Sequence, residues 1–170
     1  MPTASARSDV EPFRAMDVLA RANALEAQGR SILHMEVGQP GAGAPRAVLA
    51  AAQAALDGGR LGYTEARGLP VLRDAIRDHY RVTYGVDVPD HRIVATTGSS
   101  AGFNLAFLAA FDPGDRVAIA APGYPAYRNI LRALGLVPVE IETGPETRYA
   151  LTAELLEAAH REAPLKGVLV

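Results

Sequence analysis

A short stretch rich in hydroxyl and glycine residues, Thr96–Gly102, lies between a β-rich run and an apolar helical pattern. The first turn of a helix carries N–H groups without intrahelical partners and about half a positive charge. Small residues let an anion approach, and the hydroxyls of Ser99 and Ser100 can add hydrogen bonds, so the stretch favours a phosphate-monoester site. It lacks the lysine of a P-loop and the G-x-G-x-x-G spacing. The alternative is that Ser99 or Ser100 only caps the helix.

A tyrosine held between Gly123 and Pro125 directly follows the next predicted strand. Ligands of open α/β sheets bind beyond the carboxyl ends of parallel strands. The ring of Tyr124 is therefore positioned to lie flat against a planar ligand. The alternative is that Tyr124 packs into the interface between sheet and helix.

Two further loops carry weaker signals. Tyr63 follows Gly62 and displays a hydroxyl, and Gly38 lies where a short apolar run passes into a loop. Taken alone, an ordinary loop is the better interpretation of each. The four histidines lack metal-ligand spacing, so no metal site is predicted. The acidic residues form no obvious acid–base pair, and the serines lie outside a G-x-S-x-G motif.

The helices and strands that carry these residues are predicted from apolar periodicity and from the glycine and proline residues that end each element. Strands and helices alternate in the second half of the chain, which favours a parallel sheet covered by helices. The predicted strands are Ile32–Met35, Arg92–Thr97, Arg116–Ala120, Leu136–Ile141 and Gly167–Val170. The predicted helices are Glu11–Gly29, Pro45–Leu56, Leu69–Tyr84, Ala101–Phe111, Gly123–Leu134 and Ala153–Glu162.

Composition excludes several classes of protein. With 170 residues, 49% apolar and 21% charged, the chain is of globular type and about one domain long. With a net charge of −2, the chain has no excess of positive charge that would attract nucleic acid or an anionic membrane. No apolar run is long enough to span a bilayer, and the N-terminus lacks the apolar region of a secretory signal, so we expect a cytoplasmic protein. Cysteine is absent, and Lys166 is the only lysine.

In this order and spacing, the motifs resemble the class I and II aminotransferases, which are fold type I pyridoxal-phosphate (PLP) enzymes. The resemblance runs from about Pro12 to Val170. It rests on Val37-Gly38-Gln39-Pro40, Gly62-Tyr63-Thr64 with Gly68, Leu72 and Arg73, Thr97-Gly98-Ser99-Ser100, Asp112-Pro113-Gly114-Asp115 and Pro122-Gly123-Tyr124-Pro125-Ala126-Tyr127. Each motif alone is weak, and the ordered set is highly specific.

The resemblance implies a role for each candidate residue. Ser99 and Ser100 would bind the PLP phosphate, and Tyr124 would stack on the pyridine ring. Tyr63 would reach the phosphate of a partner subunit's PLP, which implies a homodimer. The backbone of Gly38 would line the substrate pocket. The implied reaction moves an amino group between an amino acid and a 2-oxo acid.

The resemblance also implies an α/β fold with an αβα large domain around a mainly parallel sheet. Residues 1–45 would form an N-terminal arm and a small-domain segment, and residues 46–170 the first part of the PLP-binding domain. The family's asparagine loop and its cofactor-binding lysine lie downstream of the matched region. Lys166 begins a strand at the wrong end to replace that lysine. We therefore expect these 170 residues alone to be inactive, and to be unstable because strand 92–97 lacks a partner.

Three other functions stay open at this point. One is another fold type I reaction, such as a β-elimination lyase or an acyl-transferring synthase. A second is a non-catalytic PLP-binding regulator or a pseudoenzyme, although a regulator would carry a basic winged-helix segment before Pro12. A third, a Rossmann-like nucleotide-binding domain, is disfavoured by the absence of the glycine fingerprint.

Overall fold

The computed structural model describes residues 4–59 and 62–170 of the chain. These residues form two compact units. The sheet unit comprises residues 4–17 and 97–170, and the helical unit comprises residues 18–59 and 62–96. The division into residues 1–45 and 46–170, which the sequence suggests, stays a prediction.

All the predicted helices are present. In chain order the elements are α1 (Arg14–Glu26), α2 (Arg46–Gly58), α3 (Pro70–Tyr84), α4 (Ser99–Ala110), β1 (Arg116–Ala121), α5 (Pro125–Ala133), β2 (Val137–Glu142), α6 (Ala153–Glu162) and β3 (Gly167–Leu169). Helix α6 has the predicted bounds, because the side chain of Thr152 caps it by accepting from the N–H of Leu155. Helix α5 begins two residues later than predicted, with Pro125 in its first turn. Within the described residues, no helix combines the length and the apolar character needed to cross a membrane.

The three strands of the sheet unit are parallel, in the order β2–β1–β3. Ile119 in β1 is in register with Glu140 in β2 and with Leu169 in β3. The connection through α5 moves to one side of β1, and the connection through α6 moves back to the other side. Because such crossovers are right-handed, α5 and α6 lie on opposite faces of the sheet. Helix α4 packs beside α5, which gives the three layers that were predicted.

The core of the sheet unit lies between β1 and helices α4 and α5. Leu131 of α5 is fully buried, and Val117 of β1 is 1% exposed. Phe107 of α4 and Leu136, just before β2, complete the buried cluster around Ile119. This packing fixes the end of β1, where the candidate aromatic residue follows.

The phenylalanines of α4 fix the direction of this helix on the sheet. Phe111, next to the last residue of α4, lies against the first residue of β3: a Cβ on Gly167 would be 2.5 Å from Cζ of Phe111. Two turns earlier, Phe103 packs on Tyr127 in the first turn of α5, with ring centroids 4.9 Å apart. Helix α4 therefore runs antiparallel to the strands, and its N-terminus opens at their carboxyl edge.

The helical unit buries few side chains. Among its described residues, Ala22, Ile93 and Arg73 are buried. Arg73 of α3 is 5% exposed and therefore needs partners for its charge.

These partners form an ionic network around Asp90. Nε of Arg73 donates to Oδ1 of Asp90 at 2.8 Å, and its Nη1 donates to Glu65 and to the carbonyl oxygen of Gly68. Arg67 donates to Oδ2 of Asp90 at 2.8 Å and to its carbonyl oxygen at 2.7 Å. Hydrogen bonds from Arg73 and Arg67 hold the pKa of Asp90 below its ordinary value. The network ties the loop before α3 to the segment after it.

The predictions of strands at Ile32–Met35 and Arg92–Thr97 are wrong. Neither segment belongs to a strand ladder in the part of the chain that the structure describes. The N–H of Met35 donates to the carboxylate of the next residue at 2.9 Å. The N–H of Ala95 donates to the carbonyl oxygen of Arg67 at 3.0 Å. Arg92 is the last residue of a short 3-10 helix, Asp90–Arg92.

Candidate functional site

The first turn of α4 presents the predicted hydroxyl residues. Gly98 occupies the N-cap with φ of 87°, a conformation that favours glycine, and it has no side chain that could cap the helix. Ser99 and Ser100 are therefore the first two helical residues, and their hydroxyls are not used for capping. The backbone N–H groups of this turn have no intrahelical acceptors, so the turn is a donor-rich end for an anion.

Tyr124 lies at the carboxyl end of β1, as the sequence predicts. It is the N-cap of α5 and is 52% exposed. A Cβ on Gly123 would collide with the carbonyl oxygen of Ala120, so the turn before Tyr124 requires glycine. The alternative of a ring buried between sheet and helix does not describe this half-exposed tyrosine.

A cleft of about 320 Å³ opens beside Tyr124. Ile119, Pro122 and Tyr127 give it apolar walls, and Leu169 closes it on the β3 side. Because the N-terminus of α4 opens at this same edge of the sheet, an anion-binding turn and a flat aromatic surface share one edge. Their combination suits a ligand that has both an aromatic ring and an anionic group.

Polar contacts stiffen the two strands at this edge. The carbonyl oxygen of Ala121 accepts from the N–H of Thr143 at 2.7 Å and from its hydroxyl at 3.0 Å. Arg128, one turn after Tyr124, forms an ion pair with Glu140 of β2 at 3.3 Å, and both side chains line the cleft. This pair was not predicted from the sequence, although the spacing of Arg128 from Tyr124 places both on one face of α5.

The ring of Tyr124 has aromatic neighbours on both sides in sequence. Phe13 meets it at 5.8 Å between centroids and 80° between planes, and Tyr127 meets it at 5.2 Å and 76°. The backbone before Phe13 is held by Nδ2 of Asn129, which donates to the carbonyl oxygen of Glu11 at 2.8 Å. This contact has no signal in the local sequence, since Phe13 and Tyr124 are far apart in the chain.

Tyr63 lies in the helical unit and is fully exposed there. The loop that carries it ends at Gly68, whose φ is 92°. A Cβ on Gly68 would lie 2.7 Å from Cβ of Ala95, so this close approach also requires glycine. The loop is thus held at its base while the tyrosine faces solvent.

Gly38 also lies in the helical unit and is exposed. A Cβ placed on it would meet nothing within 4 Å, so its backbone is open to a ligand. Just before it, His34 lies between two carboxylates: Nδ1 is 2.6 Å from Glu36, and Nε2 is 3.2 Å from Glu26. Hydrogen bonds with Glu36 and then Glu26 raise the pKa of His34, and the bond from His34 lowers the pKa of Glu36.

Lys166 lies at the end of the sheet opposite the cleft, as the sequence predicts. Its N–H donates to the carbonyl oxygen of Arg116, the first residue of β1. The cleft is lined by residues at the other end of β1 and β3. Lys166 therefore cannot reach a ligand that lies against Tyr124.

The residues at this edge fit the two ends of PLP. The first turn of α4 offers N–H and hydroxyl donors, which is the chemistry a phosphate dianion needs. The half-exposed ring of Tyr124 beside an apolar cleft offers the flat surface that a pyridine ring needs. A lysine for covalent attachment is not among these residues.

Comparisons with known proteins agree with this geometry. The family model described as aminotransferase class I and II matches residues 30–170. The chain is 52% identical to the valine–pyruvate aminotransferase of Mycobacterium tuberculosis over 164 residues, which are 96% of this chain and 42% of that protein.

Solved structures give the same result. An aminotransferase from Mycobacterium tuberculosis superposes with a TM-score of 0.93 at 50% identity, covering 100% of this chain and 43% of that one. The aspartate aminotransferase of Thermus thermophilus superposes with a TM-score of 0.86 at 34% identity, covering 94% of this chain and 42% of that one. The chain thus spans less than half the length of these relatives. From its sequence and its fold, the chain belongs to the class I and II aminotransferase family.

Proposed function

We propose that the native protein, as its gene encodes it, is a PLP-dependent aminotransferase that moves an amino group between an amino acid and a 2-oxo acid. The observation that carries this proposal is the shared sheet edge. The donor-rich turn at Ser99 and Ser100 and the half-exposed ring of Tyr124 both open there, in a chain of the aminotransferase family.

The chain's own residues would bind and orient the cofactor. The N–H and hydroxyl groups of Ser99 and Ser100 would hold its phosphate, and Tyr124 would keep its ring in one plane. Bound PLP supplies an electron sink for bond breaking at the α-carbon of an amino acid. The open backbone of Gly38 would contact the substrate.

Tyr63 would act in a second subunit. We propose that its exposed hydroxyl hydrogen-bonds to the phosphate of the partner's PLP, so that the working form is a homodimer. The supporting observation is that Tyr63 is fully exposed. Its loop is held in place at Gly68, whose carbonyl oxygen accepts from Arg73 of the ionic network around Asp90. A cytoplasmic location stays a prediction from the polar N-terminal sequence.

The first substrates to test come from the relatives. Because the 52% identical protein is named a valine–pyruvate aminotransferase, we propose small aliphatic amino acids as donors and pyruvate as acceptor. The native protein, loaded with PLP, should form alanine from pyruvate in the presence of valine. The aspartate–2-oxo acid pair is the comparison, since an aspartate aminotransferase is also similar.

Variants connect the activity with the proposed site. Ser99→Ala and Ser100→Ala should each weaken PLP binding about tenfold or more, since each removes a hydrogen bond to a charged group. Ser31→Ala, at an exposed serine of the helical unit, is the matched control and should bind PLP like the wild type. Failure to bind PLP, or release of more than one equivalent of 2-oxo acid per bound PLP without an amino acceptor, would contradict the proposal.

A further inference from the structure

Tyr124 is the second ring from the outer end of an aromatic chain within the sheet unit. Phe13 contacts it from the N-terminal segment and Tyr127 from the first turn of α5, both edge to face. Tyr127 in turn meets Phe103 at 4.9 Å, and Phe103 meets the buried Phe107 at 5.6 Å. The chain of rings therefore runs from the core to Tyr124 and ends at Phe13.

The two contacts of Tyr124 differ in origin. Tyr127 is on the same helix and is braced by the core, so it follows directly from the fold of α5. Phe13 comes from a different part of the chain and reaches Tyr124 only because its segment is anchored on α5.

Two backbone contacts hold Phe13 in place. On one side, Nδ2 of Asn129 in α5 donates to the carbonyl oxygen of Glu11 at 2.8 Å. On the other side, the carbonyl oxygen of Phe13 accepts from the N–H of Met16 at 3.0 Å and so begins α1. Phe13 is partly buried although it precedes a helix with few buried residues.

Tyr124 needs such support because its own position leaves it free to rotate. It is half exposed at the start of a nine-residue helix, and its ring turns about two side-chain dihedral angles. Edge-to-face contacts restrict those angles, and a ring that is already oriented loses less entropy when a planar ligand stacks on it.

We propose that Phe13 is a positioning residue for Tyr124, and that the anchored segment Glu11–Phe13 orients the tyrosine ring for stacking on PLP. The proposal rests on the proposed function, because a stacking partner for Tyr124 exists only if the protein binds PLP. Phe13 acts through Tyr124 and does not itself contact the cofactor.

The first test needs no cofactor. The native apoprotein is labelled with 3-fluorotyrosine, and the ¹⁹F resonance of Tyr124 is identified by its loss in Tyr124→Phe. In the wild type this resonance should be displaced from that of an exposed tyrosine by the neighbouring rings. In Phe13→Leu and in Asn129→Ala it should move toward the exposed position. Met16→Ala, at a half-exposed neighbour without a ring contact, is the control and should leave it unchanged.

The second test uses PLP itself. Phe13→Leu should weaken PLP binding about three- to tenfold, which is the expected effect of losing one aromatic contact. It should also change the visible circular dichroism of PLP at saturation. Phe13→Tyr keeps the ring and should restore both values, whereas a loss of folding would not be reversed in this selective way. Thermal unfolding of each variant shows whether the fold is kept.

The two tests separate the two proposals. A wild-type protein that does not bind PLP would overturn the proposed function, and the apoprotein spectrum would still judge the contact of Phe13 with Tyr124. Wild-type PLP affinity and dichroism in a folded Phe13→Leu protein would overturn the positioning role. An unchanged Tyr124 resonance in that variant would overturn it as well.

Discussion

The sheet unit and the helical unit hold their shapes in different ways. Among the described residues of the sheet unit, seven apolar ones are buried: Phe107, Val117, Ala118, Ile119, Leu131, Leu136 and Ile141. Among the described residues of the helical unit, Ala22 and Ile93 are the buried apolar ones, and Arg73 is the buried charged one. Apolar burial is not directional, whereas hydrogen bonds to Asp90 and Gly68 fix angles as well as distances.

This difference matches what each unit is proposed to contribute. The sheet unit presents a binding edge whose geometry follows from packed strands and helices. The helical unit presents Tyr63 and Gly38 on exposed loops, which have little packing of their own and depend on polar contacts at their base. Core truncation should therefore damage the first unit most, and loss of single polar or backbone features should damage the second.

The largest expected effect is that of Leu131→Ala. Leu131 is fully buried in the core of the sheet unit, so its truncation should lower the free energy of unfolding by about 2–5 kcal/mol. The matched change in the helical unit is Leu49→Ala in α2, where the leucine is 57% exposed and the cost should be below about 0.5 kcal/mol. Urea unfolding of the native protein measures the loss of unfolding free energy in each variant. Equal losses would contradict the difference in packing between the two units.

Gly68→Ala should have the next largest effect. Its φ of 92° disfavours alanine, and the new Cβ would clash with Ala95, so about 1–3 kcal/mol of unfolding free energy should be lost. Gly43→Ala is the control, because nothing lies within 4 Å of the added Cβ. If both variants unfold at the same urea concentration, the close approach at Gly68 is not structurally important.

Arg73→Lys should have a smaller and more local effect. A lysine keeps the charge but cannot bond to Asp90, Glu65 and Gly68 at the same time. Amide hydrogen exchange in the loop before α3 should accelerate about tenfold, while exchange in β1 stays unchanged. Arg81→Lys is the control, since Arg81 pairs with Asp78 on the surface. Uniform acceleration across both units would contradict a local network.

The smallest expected effect is a pH dependence at His34. Glu36 and Glu26 raise its pKa above 6.5, so its stabilising contacts are complete below pH 6.5 and are lost as the pH rises through the raised value. The lowered pKa of Glu36 gives a contribution that is present above pH 4.5 and is lost as the pH falls through the lowered value. The stability difference between wild type and His34→Gln should be largest between these two values. A difference that grows toward alkaline pH would contradict the contact.

Local signals in the sequence explain why the sheet unit could be predicted well. Thr152 marks the start of α6, and glycine or proline residues bound β1 and α5, so these elements follow from neighbouring residues. The position of Tyr124 follows from the order of strand, loop and helix, and that of the serine turn follows from the start of the apolar helical pattern. The roles of Ser99, Ser100, Tyr124, Tyr63 and Gly38 stay predictions that the proposed experiments test.

Contacts between distant residues explain what could not be predicted. The run Arg92–Thr97 has the composition of a strand, but pairing depends on a partner that a single run does not reveal. Arg73 and Asp90 lie 17 residues apart, and Phe13 reaches Tyr124 across most of the chain. Periodicity carries no information about such pairs.

A crystal structure of the native protein grown with PLP would test most directly whether the start of α4 and Tyr124 together bind the cofactor. We predict that the phosphate accepts hydrogen bonds from the N–H and hydroxyl groups of Ser99 and Ser100 at the start of α4. We also predict that the pyridine ring lies against Tyr124. A phosphate bound away from α4, or a ring without contact to Tyr124, would contradict the account.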